Sequence, residues 1–134
     1  MGNRAVVVFG EGASAPAVYL HWNGGRESIQ AFIDYLNDKG VRPDDYAAAR
    51  FAQVVGNYFG GTYSLGLATA GYYGDQGDNG VYVVGQDPDQ PARTAILSWS
   101  LEGSEYVEEF DEDYRKGVYE GVAEANDPFF EKGA

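Results

Sequence analysis

The chain is 134 residues long, about one domain, with 44% hydrophobic residues and a formal net charge of −12 from 21 acidic and 9 basic side chains. Such a composition supports one hydrophobic core and argues against wholesale disorder, while its negative field repels nucleic acid, whose affinity for proteins comes largely from Lys and Arg at phosphates. The absence of cysteine removes disulfides, thiolate metal sites and Cys nucleophiles, and no segment approaches the roughly 18–20 apolar residues that span a bilayer.

The first predicted element is a strand over Ala5-Val6-Val7-Val8-Phe9, apolar throughout and therefore expected at the centre of a sheet. The run is too short for a signal peptide, and Val6 stands where a myristoylation signal wants Ser or Thr, so a soluble, cytoplasmic protein is expected. A hairpin turn leads to a second strand from Ala17 to Trp22. Alternation puts Val18, Leu20 and Trp22 on its core face and Tyr19 and His21 on the other.

Two helices follow. Ile29, Phe32, Ile33 and Leu36 recur at amphipathic spacing after Gly24-Gly25, and Gly40 supplies a stop. The second begins near Pro43-Asp44-Asp45, with Pro43 suited to the first helical position, and buries Ala47, Phe51, Val54, Val55 and Tyr58 before Gly60-Gly61. Three short strands are expected next, at Tyr63 to Leu67, Val81 to Val84 and Thr94 to Trp99. A Gly-rich hairpin loop from Gly71 to Gly80 separates the first two. The order predicts one α+β domain over 1–134, with two helices on one face of a largely antiparallel sheet and an acidic C-terminal segment over 102–134.

That segment carries 11 acids and 3 bases, against 10 and 6 in residues 1–101. Seven carboxylates and no basic residue fall between Glu102 and Asp113. Phe110, Tyr114, Val118 and Val122 recur every four residues, which predicts a helix from about Val107 to Ala125, with Pro128 beyond its end.

Several motifs invite a chemical reading. Gly10-Glu11-Gly12-Ala13-Ser14-Ala15 matches a dinucleotide-binding fingerprint, but Pro16 and the next strand leave no room for the phosphate-binding helix, so the motif reads as a hairpin turn. His21 is the only histidine, and no Ser or Asp is marked as its catalytic partner. A packed sheet histidine is the plainer account, and metal or cofactor binding is not expected. Gly24-Gly25 before a helix could offer N–H groups to an anion, as many ligand-less helix starts also do. Asp75 to Gly80 lacks an oxygen side chain at the third position of a calcium loop, Gly77, and no bidentate Glu follows at the twelfth.

The acidic run competes better with its plain reading as a solvated face. Tyr106 and Phe110 are interleaved in it, and aromatic anchors among charges suit a protein interface. Carboxylates four apart on a helix stand about 6 Å apart, of the order of the phosphate spacing along a nucleic-acid strand. The eleven tyrosines add modestly to the interface reading, since Tyr serves both recognition surfaces and sheets.

Tyr19-Leu20-His21-Trp22-Asn23-Gly24-Gly25, Ala31-Phe32, Ala49-Arg50-Phe51-Ala52-Gln53-Val54, Asn57-Tyr58-Phe59-Gly60-Gly61 and Asp78-Asn79-Gly80-Val81-Tyr82 form a pattern over residues 4–84 that resembles small proteins of phages and other mobile elements. Those proteins have no assigned reaction, and the acidic segment lies outside the shared stretch. With charge and size, the resemblance implies a counter-defence protein in the cytoplasm of a bacterial host, similar in class to anti-CRISPR or anti-restriction inhibitors.

The expected function is therefore non-enzymatic: an acidic protein that blocks a basic nucleic-acid-binding surface of a host defence complex, without binding nucleic acid or membrane itself. Glu105, Glu108, Glu109, Asp111, Glu112 and Asp113 would meet Lys and Arg on that partner, with Tyr106 and Phe110 as anchors. The rival readings are a small-molecule site or enzyme centred on His21 and Gly24-Gly25, and a structural phage protein whose acidity serves solubility.

Overall fold

The computed structural model describes residues 3–100 and 110–132, and its elements run β1 (Ala5–Phe9), β2 (Pro16–Leu20), α1 (Arg26–Asp38), α2 (Asp45–Phe59), β3 (Leu65–Thr69), α3 (Ala70–Tyr73), β4 (Val81–Gln86), β5 (Thr94–Ser100) and α4 (Glu112–Lys132). The strands form one sheet in the order β3-β2-β1-β4-β5. β1 is central, as its unbroken apolar run demands: Val7 and Ala5 face one side, Val6 and Val8 the other, and all four are buried.

Three of the four strand pairs are antiparallel. The exception is β1 with β4, parallel in the register Val6↔Val81 and Val8↔Val83. The class is α+β and the sheet largely antiparallel, as the element order implies. The loop before β4 is not the expected hairpin, however, because β3 and β4 lie on opposite sides of the β1–β2 pair. Part of that stretch is instead the short helix α3, whose N-cap Thr69 accepts a hydrogen bond from the Tyr72 amide.

The helix-facing side of the sheet joins Ala5, Val7, Val18, Leu20, Tyr82 and Val84 to Ile29, Phe32, Ile33 and Leu36 of α1 and Phe51, Val54 and Val55 of α2. Trp22 does not share this core. β2 ends at Leu20, so the alternation stops before Trp22, which is 48% exposed.

The helix ends follow local rules. Past α1 the Gly40 amide bonds the Asn37 carbonyl and Val41 the Leu36 carbonyl, with Gly40 at φ 72°, a left-handed stop that suits glycine. At α2 the cap is Asp44, whose side chain accepts from the Tyr46 amide, so Pro43 lies outside the helix rather than at its first position.

α4 departs most from expectation. Its described part begins at Glu112 and it continues to Lys132, with Pro128 inside it. Pro128 lacks the N–H that would bond the Glu124 carbonyl, and both residues lie on the exposed side of the helix. Val118, Val122 and Asn126 form the buried stripe, while Phe110 and Tyr114, 37% and 50% exposed, stay outside it. α4 packs on α1 and α2, forming a third helix of the same core and a layer beyond the two that cover the sheet.

Candidate functional site

Glu105, Tyr106, Glu108 and Glu109 lie outside the described residues. The structure brings Phe110, Asp111, Glu112 and Asp113 together at the start of α4, and it gives them unequal roles. Asp111 is the helix cap: its side chain accepts from the Tyr114 amide at 3.0 Å, and its own amide donates to Glu27 of α1 at 3.0 Å. Glu112 accepts from Arg115 Nε at 2.9 Å, and this bond holds its carboxyl below the usual range. Arg115 also reaches Asp34 at 2.9 Å, tying α4 to α1. The Phe110 ring lies 5.9 Å from the Arg26 guanidinium, which also covers Trp99.

Asp113 is exposed and has the same helix face as Glu120 and Glu124, both exposed. Eleven residues of helix place Asp113 and Glu124 about 16 Å apart along the axis, and Glu120 and Glu124 stand one turn apart, about 6 Å. Sequence reasoning stopped the acidic site at Asp113. The signal for its extension was available: Glu120 and Glu124 share a period of four with Val118 and Val122 but are offset by two residues, the opposite side of a helix.

His21 is exposed beyond the end of β2, and its Nδ1 lies 2.8 Å from the Tyr19 hydroxyl. Tyr19 stacks on Tyr73 with ring centres 5.7 Å apart, and Tyr19, Tyr72, Tyr73 and Gln76 line a concavity of about 330 Å³ on the sheet face away from α1 and α2. Gly66 lies beneath it, and a Cβ there would push on the Tyr73 hydroxyl.

Gly24 serves packing. Its amide donates to the Asn3 carbonyl at 2.9 Å, its carbonyl accepts from the Tyr82 hydroxyl at 2.7 Å, and a Cβ would lie 2.6 Å from Asn3 O. Burial pushes the Tyr82 hydroxyl well above its ordinary pKa. Tyr82 belongs to the helix-facing core and Tyr19 to the other face, so the tyrosine hydroxyls that contact Gly24 and His21 come from opposite sides of the sheet. Glu27 in the first turn of α1 adds negative charge where an anion would sit.

In the loop before β4, Asp75 accepts from the Gly77 amide at 2.7 Å and Asp78 pairs with Arg4 at 2.9 Å. That bond to Arg4 lowers the Asp78 pKa. Among the described residues no group of three or more His, Asp or Glu side chains is gathered to hold a metal ion, and no helix is long and apolar enough to cross a membrane. No family model, curated protein or solved structure matches this chain.

Proposed function

We propose that this protein is a non-enzymatic acidic interaction protein that occupies a basic nucleic-acid-binding surface on a partner protein. The observation that carries the reading is the outward face of α4. It displays Asp113, which ends the seven-carboxylate run in the sequence, together with Glu120 and Glu124, and it exposes Phe110 and Tyr114 near its start. Glu120 and Glu124 stand one turn apart, with Asp113 two turns before Glu120 and the cation Lys116 among them, so that face is net negative. It offers Lys and Arg side chains an acidic contact, and half-exposed aromatics add contact area at low entropy cost.

The resemblance expected for residues 4–84, to phage and mobile-element proteins, would make the partner a host defence complex, CRISPR-Cas or restriction, within a bacterial cytoplasm. Association driven by such a field is fast and weakens with salt. The test is affinity capture of the tagged full chain in lysate of a bacterium with active CRISPR or restriction systems, at low and high salt. Recovery of a nucleic-acid-binding protein that salt releases, duplex DNA displaces and D113K/E120K/E124K fails to capture supports the reading. Capture that is indifferent to salt, DNA and charge reversal overturns it.

A further inference from the structure

Among the described residues of so acidic a chain, basic side chains are expected to be scattered among carboxylates, as Arg4 is against Asp78 and Arg115 against Asp34. One concavity, between the end of α1, the first half of α2 and the last turns of α4, has the opposite character. Its volume is about 850 Å³, and Lys39, Arg42 and Arg50 line it with a single carboxylate, Asp38. Ligand-binding clefts run from ~300 to 1,000 Å³. Lys39 is held by Asp127 at 3.1 Å and Arg42 by Asp44 at 3.4 Å, the latter an exposed pair that contributes little. Arg50 has no ion pair among the described residues.

Both arginines are held by an aromatic ring. Arg42 lies 4.3 Å and Arg50 5.6 Å from the centre of Tyr46. Stacking restrains a guanidinium through its face and leaves its N–H edge for an acceptor. Tyr46 is 43% exposed and Phe129, on the opposite wall, 59% exposed. Paired arginines beside two exposed rings match a ligand that is anionic at one end and flat at the other. Lys39 and Arg42 already meet Asp127 and Asp44, so the charge open to an anion is chiefly that of Arg50, with the N–H edge of Arg42 beside it, facing the roughly −1.5 to −2 of a phosphate monoester at neutral pH.

We propose that this concavity binds a small organic phosphate with a planar aromatic body, the chemistry of a mononucleotide. Arg42 and Arg50 take the phosphate, and Tyr46 and Phe129 take the ring, whose stacking on aromatic side chains is tolerant of its identity. The site lies toward the C-terminal end of α4, whereas the proposed partner contact begins at its N-terminal end, so either can fail without the other.

The experiment is isothermal titration of the full chain with adenosine 5′-monophosphate, inorganic phosphate and adenosine in separate runs. The expected result is saturable binding of the monophosphate, at least about tenfold tighter than either half alone. R42Q and R50Q should each weaken it about tenfold, the cost of one charge-assisted contact. K116Q, which alters a cation elsewhere on α4, should leave it unchanged, and circular dichroism melts establish that each variant folds. Absence of saturable heat with the monophosphate overturns the proposal. So does inorganic phosphate binding as tightly as the nucleotide, or undiminished affinity in the folded R42Q and R50Q variants.

Discussion

The side-chain amide of Asn37 makes both backbone bonds of Thr94: its Nδ2 donates to the Thr94 carbonyl at 2.9 Å, and its Oδ1 accepts from the Thr94 amide at 2.8 Å. The last turn of α1 thereby takes the place of a further strand beside the first residue of β5. Asn37→Ala leaves one donor and one acceptor without their partner, and equilibrium urea unfolding should show a loss of about 2 kcal/mol. Thr94→Val should be neutral or gain up to about 1 kcal/mol. Thr94 is only 3% exposed and its hydroxyl has no hydrogen-bond partner among the described residues, so valine removes an unsatisfied group at nearly constant volume. A loss above about 1 kcal/mol in Thr94→Val would show that the hydroxyl is satisfied.

Asn126 plays the corresponding part for α4. It is fully buried, donates to the Val54 carbonyl at 3.1 Å and accepts from the Asn57 side chain at 2.9 Å, fixing the position of α4 along α2. Asn126→Ala should cost ~2–3 kcal/mol, through the unpaired groups and the space left behind. Unfolding followed by tryptophan fluorescence and by far-UV circular dichroism should remain coincident, since α4 shares the core of the sheet. Separate transitions for the two probes would sink that expectation.

Two glycines in α4 should respond in opposite ways to alanine. A Cβ at Gly117 meets nothing within 4 Å, so Gly117→Ala should stabilise by about 0.5–1 kcal/mol through helix propensity alone. At Gly121 a Cβ would lie 2.9 Å from the Tyr58 ring, which the glycine lets approach α4 closely. Gly121→Ala should lose that propensity gain and destabilise as the ring or helix shifts. Equal melting temperatures for the two variants would remove the distinction.

The carboxylate of Asp127 accepts from the Tyr35 hydroxyl at 2.8 Å and pairs with Lys39 at 3.1 Å. The hydrogen bond from Tyr35, then that from Lys39, lowers its pKa in the folded state. The unfolded chain therefore takes up this proton first as pH falls. The stability it contributes is complete above the ordinary carboxylate range, near pH ~4, and is lost as pH drops through the depressed folded value. The gap between the wild type and Asp127→Asn in urea midpoint should narrow below pH ~4. A gap that stays constant down to acid unfolding would rule the linkage out.

Much of this architecture was written in local pattern. The period of Ile29, Phe32, Ile33 and Leu36, the glycine stop at Gly40 and the β-branched run of β1 each satisfy a rule that acts within a few residues, and each element formed where its rule operates. The charge and the concentration of carboxylates before α4 were likewise plain in the sequence. The carboxylates' differing fates were not: Asp111 caps a helix and Glu112 binds Arg115, whereas Asp113 faces solvent.

Tertiary structure alone decided the rest, because those outcomes depend on groups far apart in the chain. Pro128 stays in a helix since Val118, Val122 and Asn126 anchor the turns before it on α1 and α2. β4 runs parallel to β1 since the chain crosses the sheet before returning, and Gly24 is fixed by its contacts with Asn3 and Ala5. Arg50 reaches Tyr46 from one helical turn further along α2 and Arg42 from the segment before the Asp44 cap, but only the arrival of Phe129 from the end of α4 closes the concavity around them. A pattern of residues states what a segment prefers by itself; which side chains share a pocket is set by the packing that buries the rest.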